Sequence, residues 1–364
     1  MNYGLIGCGR ISPNHIEAAK ENRMNIIALC DVSKEKIEKI IEKHNLPSSV
    51  KKYTDYIEML EGDKLDLVAI ATESGNHAKI ALDCIDKGVH LIIEKPIALS
   101  LTDADEIIEA AEKKGVKVSA CHQNRFNKSI KKIREALEAG RFGKLLHGTA
   151  HVRWNRGEEY YKQAPWRGTW EQDGGALMNQ CIHNIDLLRW MLGDEIVEVI
   201  GMTDRLCHDY IEAEDLGLAL VRFANGSYGV IEGTTNTYPN NLEETLYIFG
   251  EKGTVKAGGK SVNIIEEWRF EDNLDKPKEV KEKYQENPPS VYGFGHIPLY
   301  KDVKQAIEEG RPVYVDAYAG KRALELVLAI YESSLTGKSV KLPMERGSTL
   351  DSVGRFERCS INLD

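Results

Sequence analysis

The segment from Tyr3 to Asp31 constrains this chain more than any other, because it reads as a strand, a glycine-cornered loop, a helix and a second strand ending on an acid. Gly4-Leu5-Ile6 is short and apolar, and Gly7-Cys8-Gly9-Arg10-Ile11-Ser12 follows at once, ahead of a helical pattern that begins near Pro13. Gly7 permits a tight turn, and Gly9 lets backbone approach a diphosphate seated on the helix N-terminus. Ile26-Ile27-Ala28-Leu29-Cys30 reads as a buried strand that delivers Asp31 to its tip, at about the twenty-residue offset expected of a ribose-binding acid. The pattern predicts a dinucleotide site. The acid favours NAD, since a 2′-phosphate would meet a like charge at Asp31; Ser33, Lys34 and Lys36 nearby soften that preference. The third small position of the loop is Ser12 in place of Gly or Ala.

A chain of 364 residues is long enough for two domains, each with its own core. No apolar run reaches membrane-spanning length, and Tyr3 already lies in a strand, so the expectation is a cytoplasmic protein with neither leader nor membrane segment. Seven cysteines sit mostly in apolar segments and form no C-x-x-C pair. Buried reduced thiols account for them better than a disulfide frame or a zinc site, and no metal is expected. A net charge of −9 argues against a nucleic-acid surface, so an anionic substrate needs a local basic pocket.

After Asp31, Ile37, Ile40 and Ile41 have the spacing of an amphipathic helix. Leu65 to Ala71, Val89 to Ile93 and Val116 to Cys121 read as strands, alternating with helices over Ile80 to Lys87 and Thr102 to Lys113. Such alternation predicts a parallel sheet whose ligand end gathers the segments after Ala71, Ile93 and Cys121. A helix over Ser129 to Ala139 leads into strands at His147 to Trp154, Glu195 to Asp204, Asp215 to Phe223, Ser227 to Thr235, Glu244 to Gly250 and Thr254 to Ala257. Their connections are too short for crossovers, and Asn225-Gly226 is a hairpin signal. The expected fold class is therefore α/β: an N-terminal Rossmann-type parallel sheet over 1–122 and a C-terminal α+β domain, built on a largely antiparallel open-faced sheet, over 123–343. Leu299 to Glu309 and Tyr318 to Thr336 are predicted helices, and the tail 344–364 stays unassigned.

A second constellation begins at Gly174-Gly175. If 177–192 is helical, Asn179, His183 and Asp186 share one face while Leu177, Cys181, Ile185 and Leu188 line another. His183 can take a proton from a substrate alcohol, although a lone histidine is more often a satisfied core residue. The paired glycines make room there for a ligand or another backbone. Lys95, set between a buried strand and Pro96, is the natural partner, its ammonium bonding the reacting hydroxyl as alkoxide character grows. A cis Lys95-Pro96 bond would fit that role. Arg167, in a Trp-rich loop, has the fork to clamp a carboxylate or phosphate, with Arg125, Arg153 and Arg156 as further candidates. Tyr160 and Tyr161 suit stacking on a sugar nucleotide as well as plain packing.

Together, the Gly7-to-Ser12 loop, Ala71-Thr72 with His77, Glu94-Lys95-Pro96, Asn124-Arg125-Phe126-Asn127 and Gly174-Gly175 followed by His183 and Asp186 resemble the Gfo/Idh/MocA oxidoreductases, as far as about Pro343. Tyr160-Tyr161, Trp166-Arg167-Gly168-Thr169-Trp170 and Asn179-Gln180-Cys181-Ile182-His183 resemble the family's branch of UDP-N-acetylglucosaminuronate 3-dehydrogenases of surface-polysaccharide synthesis. The resemblance implies NAD held by Gly7, Gly9, Arg10, Ile11, Asp31, Thr72, His77, Glu94, Lys95 and Gln123. It implies a nucleotide sugar held by Lys95, Tyr160, Arg167, Asn179, Gln180 and His183, with Lys95 and His183 at the chemistry. It also implies a homotetramer packed through the open sheet faces; NADH either leaves or, as the resemblance suggests, stays bound and passes hydride to a 2-oxoacid such as 2-oxoglutarate. Where many relatives carry Asp, this chain has Asn179, which cannot relay a proton; His183 is then the base and Asn179 orients substrate. Other readings stay open: UDP-N-acetylglucosamine or another sugar or inositol as substrate, an NAD-dependent glycosidase, or a non-catalytic NAD-binding regulator.

Overall fold

A computed structural model describes residues 1–357. The chain divides into two compact units, 1–127 with 292–322, and 128–291 with 323 onward. In the first unit the order is β1 (Asn2–Ile6), α1 (Ser12–Glu21), β2 (Asn25–Cys30), α2 (Lys34–His44), β3 (Lys51–Tyr53), α3 (Tyr56–Gly62), β4 (Leu67–Ile70), α4 (His77–Asp86), β5 (His90–Ile93), α5 (Leu101–Lys114) and β6 (Val118–Ala120). Every pairing in this sheet is parallel, in the order β3-β2-β1-β4-β5-β6. That order reverses between β1 and β4, the place where an open α/β sheet leaves a ligand crevice. β1, β4 and β5 are almost wholly buried, which explains their continuous apolar runs. β3 and α3, three and seven residues long, are too short to establish a period that signals them in the sequence.

The second unit opens with α6 (Lys128–Glu138) and continues with β7 (Leu145–Arg153), α7 (Glu158–Tyr161), a π-helical turn at Leu177–Cys181, α8 (Ile182–Leu192), β8 (Ile196–Asp204), β9 (Leu216–Phe223), β10 (Tyr228–Thr234), β11 (Glu243–Gly250), β12 (Gly253–Gly258), β13 (Ile264–Phe270) and α9 (Pro277–Tyr284). The chain then returns to the first unit as α10 (His296–Glu309). A contiguous second domain running to 343 does not describe this path; a sequence cannot show the return, because an amphipathic helix does not advertise which core it completes. α11 (Ala317–Thr336) straddles the division and β14 (Val340–Lys341) pairs with β8. The larger sheet runs β13-β12-β11-β7-β10-β9-β8-β14, antiparallel except between β7 and β10. Of the tail, Thr349–Ser352 forms a short 3₁₀ turn capped by Ser348, while 358–364 lies outside the described residues.

Glycines bring α8 close to one face of this sheet. A Cβ on Gly217 would lie 2.4 Å from Leu177, and one on Gly233 would lie 2.5 Å from the Cys181 sulfur. Leu188 crowds Gly148 and Gly229 in the same way. Asn184 completes the docking with hydrogen bonds to the carbonyls of His151 and Thr245. The opposite face is open: Ile200, Met202, Leu218, Leu220 and Tyr228 are all exposed. Six described cysteines are free thiols, five of them buried. Among the described residues no helix is long and apolar enough to cross a membrane.

Candidate active site

The Gly7-to-Ser12 loop sits at the reversal point of the first sheet. Gly7 has φ +97°, and a Cβ there would stand 2.4 Å from the Ala71 carbonyl oxygen, so the tips of β1 and β4 meet only because the side chain is absent. Gly9 differs: a Cβ on it would touch no protein atom within 4 Å. Space of that kind beside a loop at a helix start suits a diphosphate. No side chain caps α1 and no acid stands in its first turn, leaving the positive end of its dipole uncompensated. Ser12, the departure from a third glycine, closes the turn by donating to the Gly9 carbonyl at 2.6 Å. Asp31 arrives at the end of β2 with its carboxylate accepting from the Cys8 and Ser33 amides at 2.9 and 2.8 Å, and Lys36 lies 3.9 Å away. These residues fit a dinucleotide with an unphosphorylated ribose. Arg10 is exposed and Ile11 half-buried in the same loop.

The remaining sequence-predicted groups of the first unit cluster at the ends of β4, β5 and β6. His77 is buried with its ring nitrogens 2.8 Å from the Pro96 carbonyl and 3.2 Å from that of Thr72, tying the two loops together. Burial pushes its imidazole below the ordinary range. Lys95 is half-buried, the Lys95–Pro96 bond is cis, and Gln123 is buried in the loop beyond β6.

In the second unit, Tyr160, Arg167 and Gln180 come together. The Tyr160 hydroxyl accepts from Arg167 Nη1 at 2.6 Å and from Gln180 Nε2 at 3.2 Å. The Arg167 guanidinium lies 4.4 Å from the Tyr160 ring centre and 4.6 Å from that of Trp166, a stacked geometry that fixes its plane. Arg153, by contrast, is committed to Glu232 and Glu243, which raise its guanidinium's pKa further and neutralise it as an anion clamp. Arg156 bonds the Asn155 carbonyl and Asn241.

The helix expected over 177–192 is real but begins as the π turn, which alters its phase. Asn179 and His183 are half-buried, whereas Asp186 is fully buried with Arg189 3.7 Å away. Of the two occupants expected beside Gly174 and Gly175, a ligand or another backbone, protein fills the space at Gly175, the Glu214 carbonyl oxygen lying 2.5 Å from where its Cβ would stand. A Cβ on Gly175 would fall 1.7 Å from Glu214 Oε2, and one on Gly174 2.7 Å from Met178. Gly175 admits Glu214, whose Oε1 accepts from the Leu177 amide at 2.8 Å and from the Tyr331 hydroxyl at 2.9 Å. Complete burial pushes the Glu214 carboxyl up to about 8. Sequence reading missed Glu214, Tyr331 and Asp173, the partner of the Asn179 amide; only an acid with no nearby basic residue hinted at the first.

The residues 1–122 match the oxidoreductase family with an NAD-binding Rossmann fold, and 130–256 match the GFO/IDH/MocA C-terminal domain. The WlbA dehydrogenase from Bordetella pertussis, solved with NADH and UDP-GlcNAcA, is 37% identical, with 95% of this chain and 98% of that one covered and a TM-score of 0.87. This chain belongs to the Gfo/Idh/MocA oxidoreductases. It is an NAD-dependent dehydrogenase, and the resemblance read from the Gly7 loop, Glu94-Lys95-Pro96 and His183 holds. Among other family members, the WlbA enzyme of Chromobacterium violaceum is 33% identical over 95% of this chain and 96% of that one, with a TM-score of 0.86. The myo-inositol 2-dehydrogenase of Thermotoga maritima is 28% identical over 94% of this chain and 98% of its own length.

Proposed function

We propose that this dehydrogenase oxidises the C3 hydroxyl of a UDP-N-acetyl sugar, UDP-N-acetylglucosaminuronate foremost, in surface-polysaccharide or amino-sugar synthesis. The observation that carries the reading is the 37% identity, over nearly the whole chain, to a WlbA dehydrogenase whose own complex holds NADH and UDP-GlcNAcA. The Tyr160–Arg167–Gln180 cluster adds chemistry of the right kind, a planar cation held by aromatic faces, suited to a carboxylate or diphosphate.

In this mechanism NAD, when bound, supplies the hydride acceptor. Lys95 donates a hydrogen bond to the reacting hydroxyl, lowering the cost of negative charge on its oxygen as the C–H bond breaks. His183 takes the hydroxyl proton. Asn179, its amide committed to Asp173, orients substrate and moves no proton. A 2-oxoacid such as 2-oxoglutarate would serve as the hydride acceptor if the cofactor stays bound between turnovers, and a homotetramer forms through the open sheet face.

The test is reduction of NAD with UDP-N-acetylglucosaminuronate, UDP-N-acetylglucosamine and myo-inositol in parallel. At least tenfold higher kcat/KM for the uronate is expected. Equal turnover of both UDP sugars removes the carboxylate argument, and preference for inositol establishes the second reading, favoured by the Thermotoga relative.

A further inference from the structure

Arg167 belongs to a longer stack in the second unit, in which rings and guanidinia alternate: Trp154, Arg156, Tyr160, Arg167, Trp166. The Arg156 guanidinium carbon lies 4.7 Å from the Trp154 ring centre and 5.3 Å from that of Tyr160. That of Arg167 lies 4.4 Å from the Tyr160 ring centre and 4.6 Å from that of Trp166. Tyr160 is therefore a phenol with two permanent cations against its ring, since a guanidinium keeps its charge throughout the range in which proteins fold. One of the two also reaches its oxygen. Arg167 Nη1 donates to the Tyr160 hydroxyl at 2.6 Å, and Gln180 Nε2 donates to it at 3.2 Å.

These contacts all act on the Tyr160 proton in one direction. Nearby positive charge favours phenolate over phenol, and a hydrogen bond from a cation strengthens as its acceptor gains charge. Burial opposes them, but Tyr160 is only half-buried. Its neighbours show the contrast. Tyr161 packs edge-on against it with ring centres 5.1 Å apart; burial pushes the Tyr161 hydroxyl up, and negative charge on Tyr160 adds to that rise. Tyr210, 5.8 Å from Tyr161, is pushed up to about 12 by burial and then by Glu158. His208, 5.3 Å from Tyr161, is pushed down by burial and brings no charge to the group near neutral pH. Glu158 and Glu159, on α7 itself, are both paired with Lys162, and Asp173 holds the Gly168 and Asn179 amides. Two N–H donors occupy the lone pairs of the Tyr160 oxygen, so the residue acts on a ligand through its O–H, and a phenol whose anion is stabilised is the stronger donor.

We propose that Tyr160 is an acidic phenol, made so by Arg156 and Arg167, and that its O–H is the donor through which this site takes an anionic oxygen of the substrate, a phosphate or a carboxylate. Once the phenol ionises, the two negative oxygens repel and the substrate is released. The inference rests on the nucleotide sugar proposed above. Tyr160 then selects for an anion as the guanidinium beside it does, but for only as long as it keeps its proton.

The experiment is a pH titration of phenolate absorbance in the near ultraviolet on the full-length, NAD-loaded protein, unaltered minus Tyr160→Phe, which isolates one tyrosine of 15 without any turnover. The Tyr160 midpoint is expected at least about one pH unit below the ordinary tyrosine value of about 10, and a smaller displacement overturns the proposal. In Arg167→Met the midpoint is expected to rise by about one unit or more; an unmoved midpoint in the folded variant also overturns it. Calorimetric titration with UDP, UDP-N-acetylglucosamine and UDP-N-acetylglucosaminuronate is the second arm. Above the midpoint, affinity is expected to fall by about tenfold per pH unit in the unaltered protein, the slope of a single proton, and to stay level in Tyr160→Phe. A fall with all three ligands puts the anionic oxygen on the diphosphate, and a fall with the uronate alone puts it on the carboxylate. A level affinity in the unaltered protein, or the same fall in both proteins, overturns the donor role. Failure of all three to bind at neutral pH sinks the nucleotide-sugar reading and the donor role with it, while the absorbance midpoint still decides the acidity of Tyr160.

Discussion

At the scale of single residues, His183 and Gly175 show two different debts to their surroundings. His183 stands half-buried at the start of α8, whose other flank is locked to β7 and β11 through Asn184, so its direction is set by a helix that cannot roll. His183→Ala is expected to leave NAD affinity within about twofold and to lower kcat by roughly 10²–10⁴-fold, the range for loss of a general base. Fluorescence titration with NADH and steady-state rates with the best UDP sugar check both halves. Gly175 was legible as a glycine that makes room for a ligand or another backbone, but not which of the two, because sequence shows that space is needed and never what fills it. Here the filler is Glu214. Gly175→Ala should cost about 1–3 kcal/mol through overpacking, measured by denaturant unfolding.

At the scale of elements, the π turn and α8 form one device, with Glu214 holding its first amide. The Glu214 carboxyl is raised from 4.5 to about 8 in the fold by burial, so between those values the folded chain keeps a proton that the unfolded chain gives up. Its contribution to stability is fully present below 4.5 and is lost as pH rises towards 8. Stability of the unaltered protein relative to Glu214→Gln, a neutral mimic of the protonated acid, is expected to fall across that window by up to about 1.4 kcal/mol per pH unit. Urea unfolding of both proteins at pH 5, 6.5 and 8 measures the difference; parallel curves would show that Glu214 is ionised throughout. The helix itself was readable from Leu177, Cys181, Ile185 and Leu188, all of which are buried. The π turn was not, since one added residue in a single turn leaves the apolar periodicity of the segment nearly intact.

At the scale of the whole molecule, the open face of the larger sheet is the feature that asks for a partner. Ile200 and Leu220 stand abreast on β8 and β9, as do Met202 and Leu218, and all four are exposed. Packing of two such faces on each other is the basis of the proposed tetramer. Leu220→Glu is expected to lower the sedimenting mass to a smaller species at micromolar concentration, measured by analytical ultracentrifugation. An unaltered mass in this variant, or a monomer without it, removes the sheet face as the interface.

The sequence alone determined the two architectures and the cofactor loop. Those depend on local requirements: buried parallel strands must be continuously apolar, half-exposed strands must alternate, and a turn at φ +97° must be glycine. Tertiary structure alone decided that α10 returns to the first core and brings His296 to Glu94 and Tyr300 to His15, that Arg153 is spent on two acids while Arg167 is stacked on aromatic rings, and that Glu214 fills the space left by Gly175. Apart from Arg167, stacked on Tyr160 and its own neighbour Trp166, each of those facts is a meeting of residues far apart in the chain, which no local pattern records.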